Sequence, residues 1–136
     1  MNTKDLKIVI VIAMLFALFD KIWFKMGIPS KIYNNTVKLI QGSEINANGK
    51  YHYAVLAYVT MALVYYNLIY DDLDTDNFHK KSIYYSLGVW GIFNLTNIVI
   101  FNNYTTEMLF IDTLWGIFVT QIVGLILKNT KNKWLK

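Results

Sequence analysis

Two aspartates, Asp20 and Asp112, interrupt runs that are otherwise apolar, and each is followed three residues later by a tryptophan, Trp23 and Trp115. Asn94 and Asn97 repeat the three-residue spacing in another apolar run, with Thr96 between them. On a helix, residues three or four apart share a face, so each pair presents its polar groups together, and Gly116 adds a small residue beside Trp115. A carboxylate within hydrocarbon is costly and needs a partner or a watery cavity. Three chemistries are open to such a set. The groups can form a hydrogen-bonded clasp between helices, helped by small residues such as Gly88, Gly91 and Gly116. They can hold a proton, a cation or a lipid headgroup. Asp20 and Asp112 can also act as acid and base on a lipid, as paired carboxylates do when burial tunes them apart.

Several other chemistries have no residues to carry them. The chain has no cysteine, which removes thiol nucleophiles, disulfides and thiolate metal sites. Its two histidines, His52 and His79, fall at opposite ends of the expected helices, so no histidine cluster holds a metal and no intramembrane histidine ligates a heme. No Ser-His or phosphate-loop pattern is present. Asp71, Asp72, Asp74 and Asp76 lack the glycine and closing glutamate of a calcium loop and read as a solvated turn. The sequence therefore implies no cofactor and no metal, and a non-enzymatic role is favoured over catalysis.

The elements that position these residues follow from composition. Of 136 residues, 55% are hydrophobic and only 16% charged, too apolar for a soluble domain of this length to cover with polar surface. No Pro/Gly/Ser linker divides the chain, so residues 1–136 form one domain. Four apolar runs emerge, at about 7–27, 52–70, 82–101 and 108–127. A helix rises about 1.5 Å per residue against a hydrocarbon core about 30 Å thick, so each run can cross. The first run follows Lys4 and Lys7 as a signal peptide would, but Asp20-Lys21-Ile22-Trp23 offers no small-residue cleavage site. A soluble bundle would carry polar stripes, whereas Val55 to Val59 and Ile98 to Phe101 are apolar all round. The expected fold is an all-α integral membrane four-helix bundle.

In that arrangement Asp20 lies about 20 Å along the first helix, and Asn94 and Asn97 about 18 to 22 Å along the third. Asp112 is near the start of the returning fourth helix, and Tyr58 on the second reaches the same layer. Four helices thus deliver polar side chains to one depth. Four crossings put both termini and the 71–81 loop on one side with eight lysines: Lys4, Lys7, Lys80, Lys81, Lys128, Lys131, Lys133 and Lys136. Four, Lys25, Lys31, Lys38 and Lys50, lie on the other, which favours cytoplasmic termini. In the first loop Ile32, Tyr33, Val37 and Ile40 share a helical face after a Ser30 N-cap and before Gly42, which predicts a short interfacial helix. Asn34-Asn35-Thr36 and Asn103-Tyr104-Thr105 match the N-glycan acceptor pattern, which has meaning only in a secretory pathway. The bilayer is the expected partner, and a conducting path would require a homo-oligomer. The lysines are scattered and arginine is absent, so nucleic acid is not a partner.

Asp20-Lys21-Ile22-Trp23, Phe93-Asn94-Leu95-Thr96-Asn97 and Asp112-Thr113-Leu114-Trp115-Gly116 together carry a family likeness. The chain resembles the DUF2177 family of small four-span membrane proteins, marked by Asp-x-x-Trp in the first helix, Tyr-Asp-x-Thr-Asn in the third and Asp-x-x-Trp-Gly in the fourth. Tyr33 also resembles a family tyrosine. This chain departs at Phe93 and Asn94, where the family usually has tyrosine and aspartate. The resemblance implies the topology and the polar layer. The lost acid weakens any role for the third helix as proton carrier or metal ligand.

Overall fold

The computed structural model describes residues 2–46 and 48–134, the last three of them as backbone only. All regular elements among these residues are helical. Helix α1 spans Thr3–Trp23, α2 Gly27–Gln41 and α3 Tyr51–Ile69, with a 3-10 turn at Tyr70–Asp72. Helix α4 (Asn77–Ser86) runs through a π turn at Leu87–Gly91 into α5 (Ile92–Ile100), and α6 spans Thr106–Trp134.

Three helices are long and apolar enough to cross a membrane: Tyr51–Asp72, the continuous Asn77–Ile100 unit and Thr106–Lys131. The run expected at 7–27 forms a helix of 21 residues but does not meet that standard. Lys4, Asp5 and Lys7 at one end and Asp20 and Lys21 at the other leave it too charged over a full span. Three spans are therefore shown where four are expected.

The distribution of side chains is that of a protein whose solvent is lipid. Met14, Val55, Val99, Phe110 and Leu114 point outward, each more than half exposed, while Ser82, Ser86, Asn94 and Thr120 are fully buried. In a water-soluble bundle these groups would change places. Inside, the hydroxyls find backbone and one another. Ser86 Oγ donates to Ser82 O at 2.8 Å and lies 2.7 Å from Thr120 Oγ1, and Thr120 Oγ1 bonds Gly116 O at 2.5 Å. Such contacts join the α4–α5 unit to α6 without any exposed polar face.

Helix α1 lies antiparallel to α3, because Asp5 near its start bonds Tyr66 near the end of α3, while Asp20 near its end bonds Tyr58. Phe16 meets Tyr65 edge-on between them, with ring centroids 5.5 Å apart. The start of α1, the 70–76 turn and the end of α6 gather at one end of the bundle, where Lys131 Nζ contacts Asp74 at 3.3 Å and lies over the Tyr70 ring. The basic flank therefore continues α6 as helix instead of trailing from it.

At the opposite end, α2 packs on the start of α6 and on the loop before it, where the Thr36 and Thr105 hydroxyls are 3.0 Å apart and Asn103 Nδ2 donates to Leu39 O at 3.0 Å. Helix α2 starts at Gly27 with Met26 as its N-cap, so Ser30 is inside the first turn and does not cap it. Pro29 sits where a missing N–H costs nothing. Gly42 ends the helix with φ 75°, a conformation that glycine adopts without steric cost. Thr36 and Asn103, each part of a glycan pattern, are committed to this junction.

Candidate functional site

Asp20 sits near the end of α1, on the side facing both α3 and α6. Its Oδ2 accepts from Tyr58 Oη at 2.9 Å and its Oδ1 from Trp115 Nε1 at 2.7 Å. One carboxylate thereby joins three helices, with each oxygen given a donor from a different one. Trp115 is further held by Trp23, one turn beyond Asp20, whose ring stacks on it at 4.3 Å and 8°. The two Asp-x-x-Trp patterns have a shared physical result. Asp20 takes the indole N–H from α6, and the tryptophan on its own helix covers that indole's face.

Asp112 anchors a second set, between α5 and α6. Asn94 Nδ2 donates to Asp112 Oδ2 at 2.8 Å and to Trp90 O at 2.8 Å, with Thr113 Oγ1 at 3.4 Å. Tyr104 Oη donates to Asn94 Oδ1. Asn94 is fully buried and Asp112 is 5% exposed. An amide suits this place because it supplies donors to Asp112 and Trp90 while accepting from Tyr104. The π turn just before it leaves the regular ladder, and its last residues, Trp90 and Gly91, bring the helix against α6. Trp90 lies against Gly116, where a side-chain Cβ would come within 2.6 Å of its Cγ.

The sequence-selected residues divide accordingly. Asp20, Tyr58, Trp23 and Trp115 form one set, Asn94 and Asp112 another, and Gly116 is the close-approach point between the third apolar helix and α6. Thr96 is exposed and Asn97 half-buried, and among the described residues neither bonds either carboxylate. Gly88 has open space where a Cβ would be, and at Gly91 a Cβ would meet only ordinary contacts, the nearest at 3.5 Å. Neither glycine is needed for close approach, in contrast to the expectation for both. Gly124 is so needed, since a Cβ there would run into the Phe78 ring and come within 2.7 Å of Tyr65 Oη. Its signal is the small-residue spacing to Gly116, eight residues earlier on the same helix.

Sequence reasoning also passed over Tyr104 and understated Tyr33. The Tyr33 ring meets Phe24 edge-on at 4.8 Å, and its phenol lies within Coulombic reach of Asp112 and Asp20. Burial, followed by those two acids and the neighbouring tyrosines, pushes the Tyr33 phenol well above its usual range. Burial also raises Tyr104, beside Asp112 and Asn97. Both hydroxyls therefore keep their protons near neutral pH, and that of Tyr104 donates to Asn94. Helix α2 is thus a cover over the polar layer as well as an amphipathic element. Among the described residues no group of three or more His, Asp or Glu side chains is placed to hold a metal ion.

A family model described as a predicted membrane protein, DUF2177, matches residues 6–127. The chain belongs to the DUF2177 family. The match covers α1, the three apolar helices and both polar sets, so the fold described here is that of a DUF2177 membrane protein through nearly its whole length. No curated protein matches the chain, and no solved structure does.

Proposed function

We propose that this small integral membrane protein is a four-span bundle whose polar layer serves as a helix clasp, making it a structural component of a membrane or membrane assembly. The observation that carries this reading is Asp20, whose two oxygens are both occupied by side-chain donors from α3 and α6. Each Asp20 oxygen is thus committed to a neighbouring helix, which is what a clasp between helices requires. Helix α1 is read as the fourth span because it is about 31 Å long by the helical rise and pairs with α3 from Tyr58 to Tyr66. Its charges are confined to the two ends, around the uncharged stretch from Ile8 to Phe19. The lysine bias of the terminal side supports cytoplasmic termini.

A second reading has one observation in its favour. Asp112 accepts through Oδ2, while its Oδ1 has no hydrogen-bond partner among the described residues and is not fully enclosed. That oxygen, together with the Tyr33 phenol, makes a proton, cation or headgroup site the competing account. Liposomes loaded with a pH-sensitive dye distinguish the two. The clasp predicts proton and potassium flux equal to protein-free liposomes from pH 5 to 8. Flux in the parent that disappears in both Asp20→Asn and Asp112→Asn would overturn it.

A further inference from the structure

At the terminal end of the bundle, away from the polar layer, α1, Tyr70 and α6 line a half-open groove of about 290 Å³. Lys4, Lys7 and Lys131 line it, with no acidic side chain among the described residues of its walls. The arrangement follows from helical periodicity. Lys4, Lys7, Ile8 and Val11 form one stripe of α1, and Leu127, Thr130 and Lys131 form one stripe of α6. In each stripe the cations stand at the helix end and the apolar residues lie one to two turns farther in.

Of the two neighbouring acids with partners, Asp5 is engaged elsewhere and Asp74 offsets one of the three lysines. Asp5 accepts from Tyr66 Oη at 3.0 Å and from the Asn2 N–H at 2.8 Å, which turns it toward α3 and the helix cap. Asp74 is the one carboxylate on Lys131, at 3.3 Å, and it is more than half exposed. The groove therefore keeps a net positive mouth over an apolar floor that includes Val11, Tyr70 and Leu127.

We infer that this groove is a binding site for an anionic phospholipid of the surrounding bilayer, with the headgroup phosphate between Lys4, Lys7 and Lys131 and one acyl chain along Val11 and Leu127. The order of groups argues for a lipid over a soluble anion. Cations at the interface and an apolar channel leading inward reproduce the polarity of a phospholipid from head to tail. A soluble phosphate would use the cations and leave the floor empty. The site is independent of the clasp, since neither Asp20 nor Asp112 touches it.

The test uses the full chain in a neutral detergent, titrated with phosphatidylglycerol or phosphatidylcholine and followed by native mass spectrometry. Phosphatidylglycerol is expected to bind at least fivefold more tightly. The triple variant Lys4→Gln, Lys7→Gln, Lys131→Gln should reduce that ratio to near one. The control Lys25→Gln, Lys31→Gln, Lys38→Gln, at the other end, should preserve it. Ile10 lines the groove and is half exposed, so Ile10→Trp fills the space without touching the core and should weaken both lipids at least fivefold. Glycerol phosphate, the headgroup without chains, should not compete at hundredfold excess. No preference in the parent, equal loss in the control triple, or unchanged binding in Ile10→Trp would overturn the inference. Competition by glycerol phosphate would overturn it too, marking a soluble-anion site.

Discussion

Asp20→Leu is expected to lower stability in detergent by about 1–3 kcal/mol, because it leaves Tyr58 Oη and Trp115 Nε1 without an acceptor at the junction of α1, α3 and α6. Leucine also removes the charge, which refunds part of the cost of holding a carboxylate there, so the loss remains in this range. Asp20→Asn should behave differently, for a reason specific to its two partners. Indole N–H can only donate, so the asparagine carbonyl must take Trp115. Its amide then faces Tyr58, whose hydroxyl can turn from donor to acceptor. Both bonds survive with reversed polarity on one side, and the expected change is within about 0.6 kcal/mol, the size of a typical interhelical bond. Unfolding followed by helicity in a denaturing detergent measures both variants. A leucine variant as stable as the asparagine variant would show that the orphaned donors cost nothing.

The second large effect is expected at the close contacts along α6. Gly116→Val puts a branched side chain where the Trp90 ring lies, and Gly124→Val puts one against Phe78 and Tyr65. Trp90, Phe78 and Tyr65 are all buried rings, so none can swing outward without opening the core. Overpacking of this kind costs about 1–3 kcal/mol and occasionally more. At Gly116 the damage should be compounded. Its carbonyl accepts from Thr120 and lies 3.0 Å from Ser86 Oγ, and forcing the helices apart breaks the contact with Ser86. Gly88→Ala is the matched control, since nothing lies within 4 Å of the added atom. Folded yield from membranes and melting of the purified variants report the difference. Equal behaviour of the three glycines would mean that α6 does not depend on these contacts.

What could be read from residues alone followed physical periodicity. Apolar runs of span length and the depth of charges along them are one-dimensional quantities, and they single out Asp20, Tyr58, Asn94 and Asp112, which fall in two bonded sets. Which groups bond which is a question of helix rotation and tilt, and a three-residue spacing does not settle it. Asn97 shares a face with Asn94, but the π turn and the Tyr104 hydroxyl select Asn94 for the contact with Asp112. Nothing in the sequence marks a π turn at Leu87–Gly91. For the same reason Gly88 and Gly116 look alike in sequence, and only the helix face decides that one lies in open space and the other beneath a tryptophan. Helix α2 was legible as amphipathic; that it covers the polar layer through Tyr33 and Thr36 depends on long-range contacts to α6 and the 101–105 loop. Helix α1 shows the limit of counting charge. The same Asp20 that disqualifies α1 by composition is the residue that bonds it to its neighbours.

The coupling between Asp20 and Trp115 is the most direct measure of the clasp. A double-mutant cycle of Asp20→Leu, Trp115→Phe and the pair, read from equilibrium unfolding, isolates the bond, since phenylalanine keeps an aromatic ring for Trp23 to stack upon while deleting the N–H. The clasp predicts a favourable coupling of about 0.6–2 kcal/mol between the two sites. Purely additive losses, with no coupling between a carboxylate and an indole 2.7 Å apart, would contradict it.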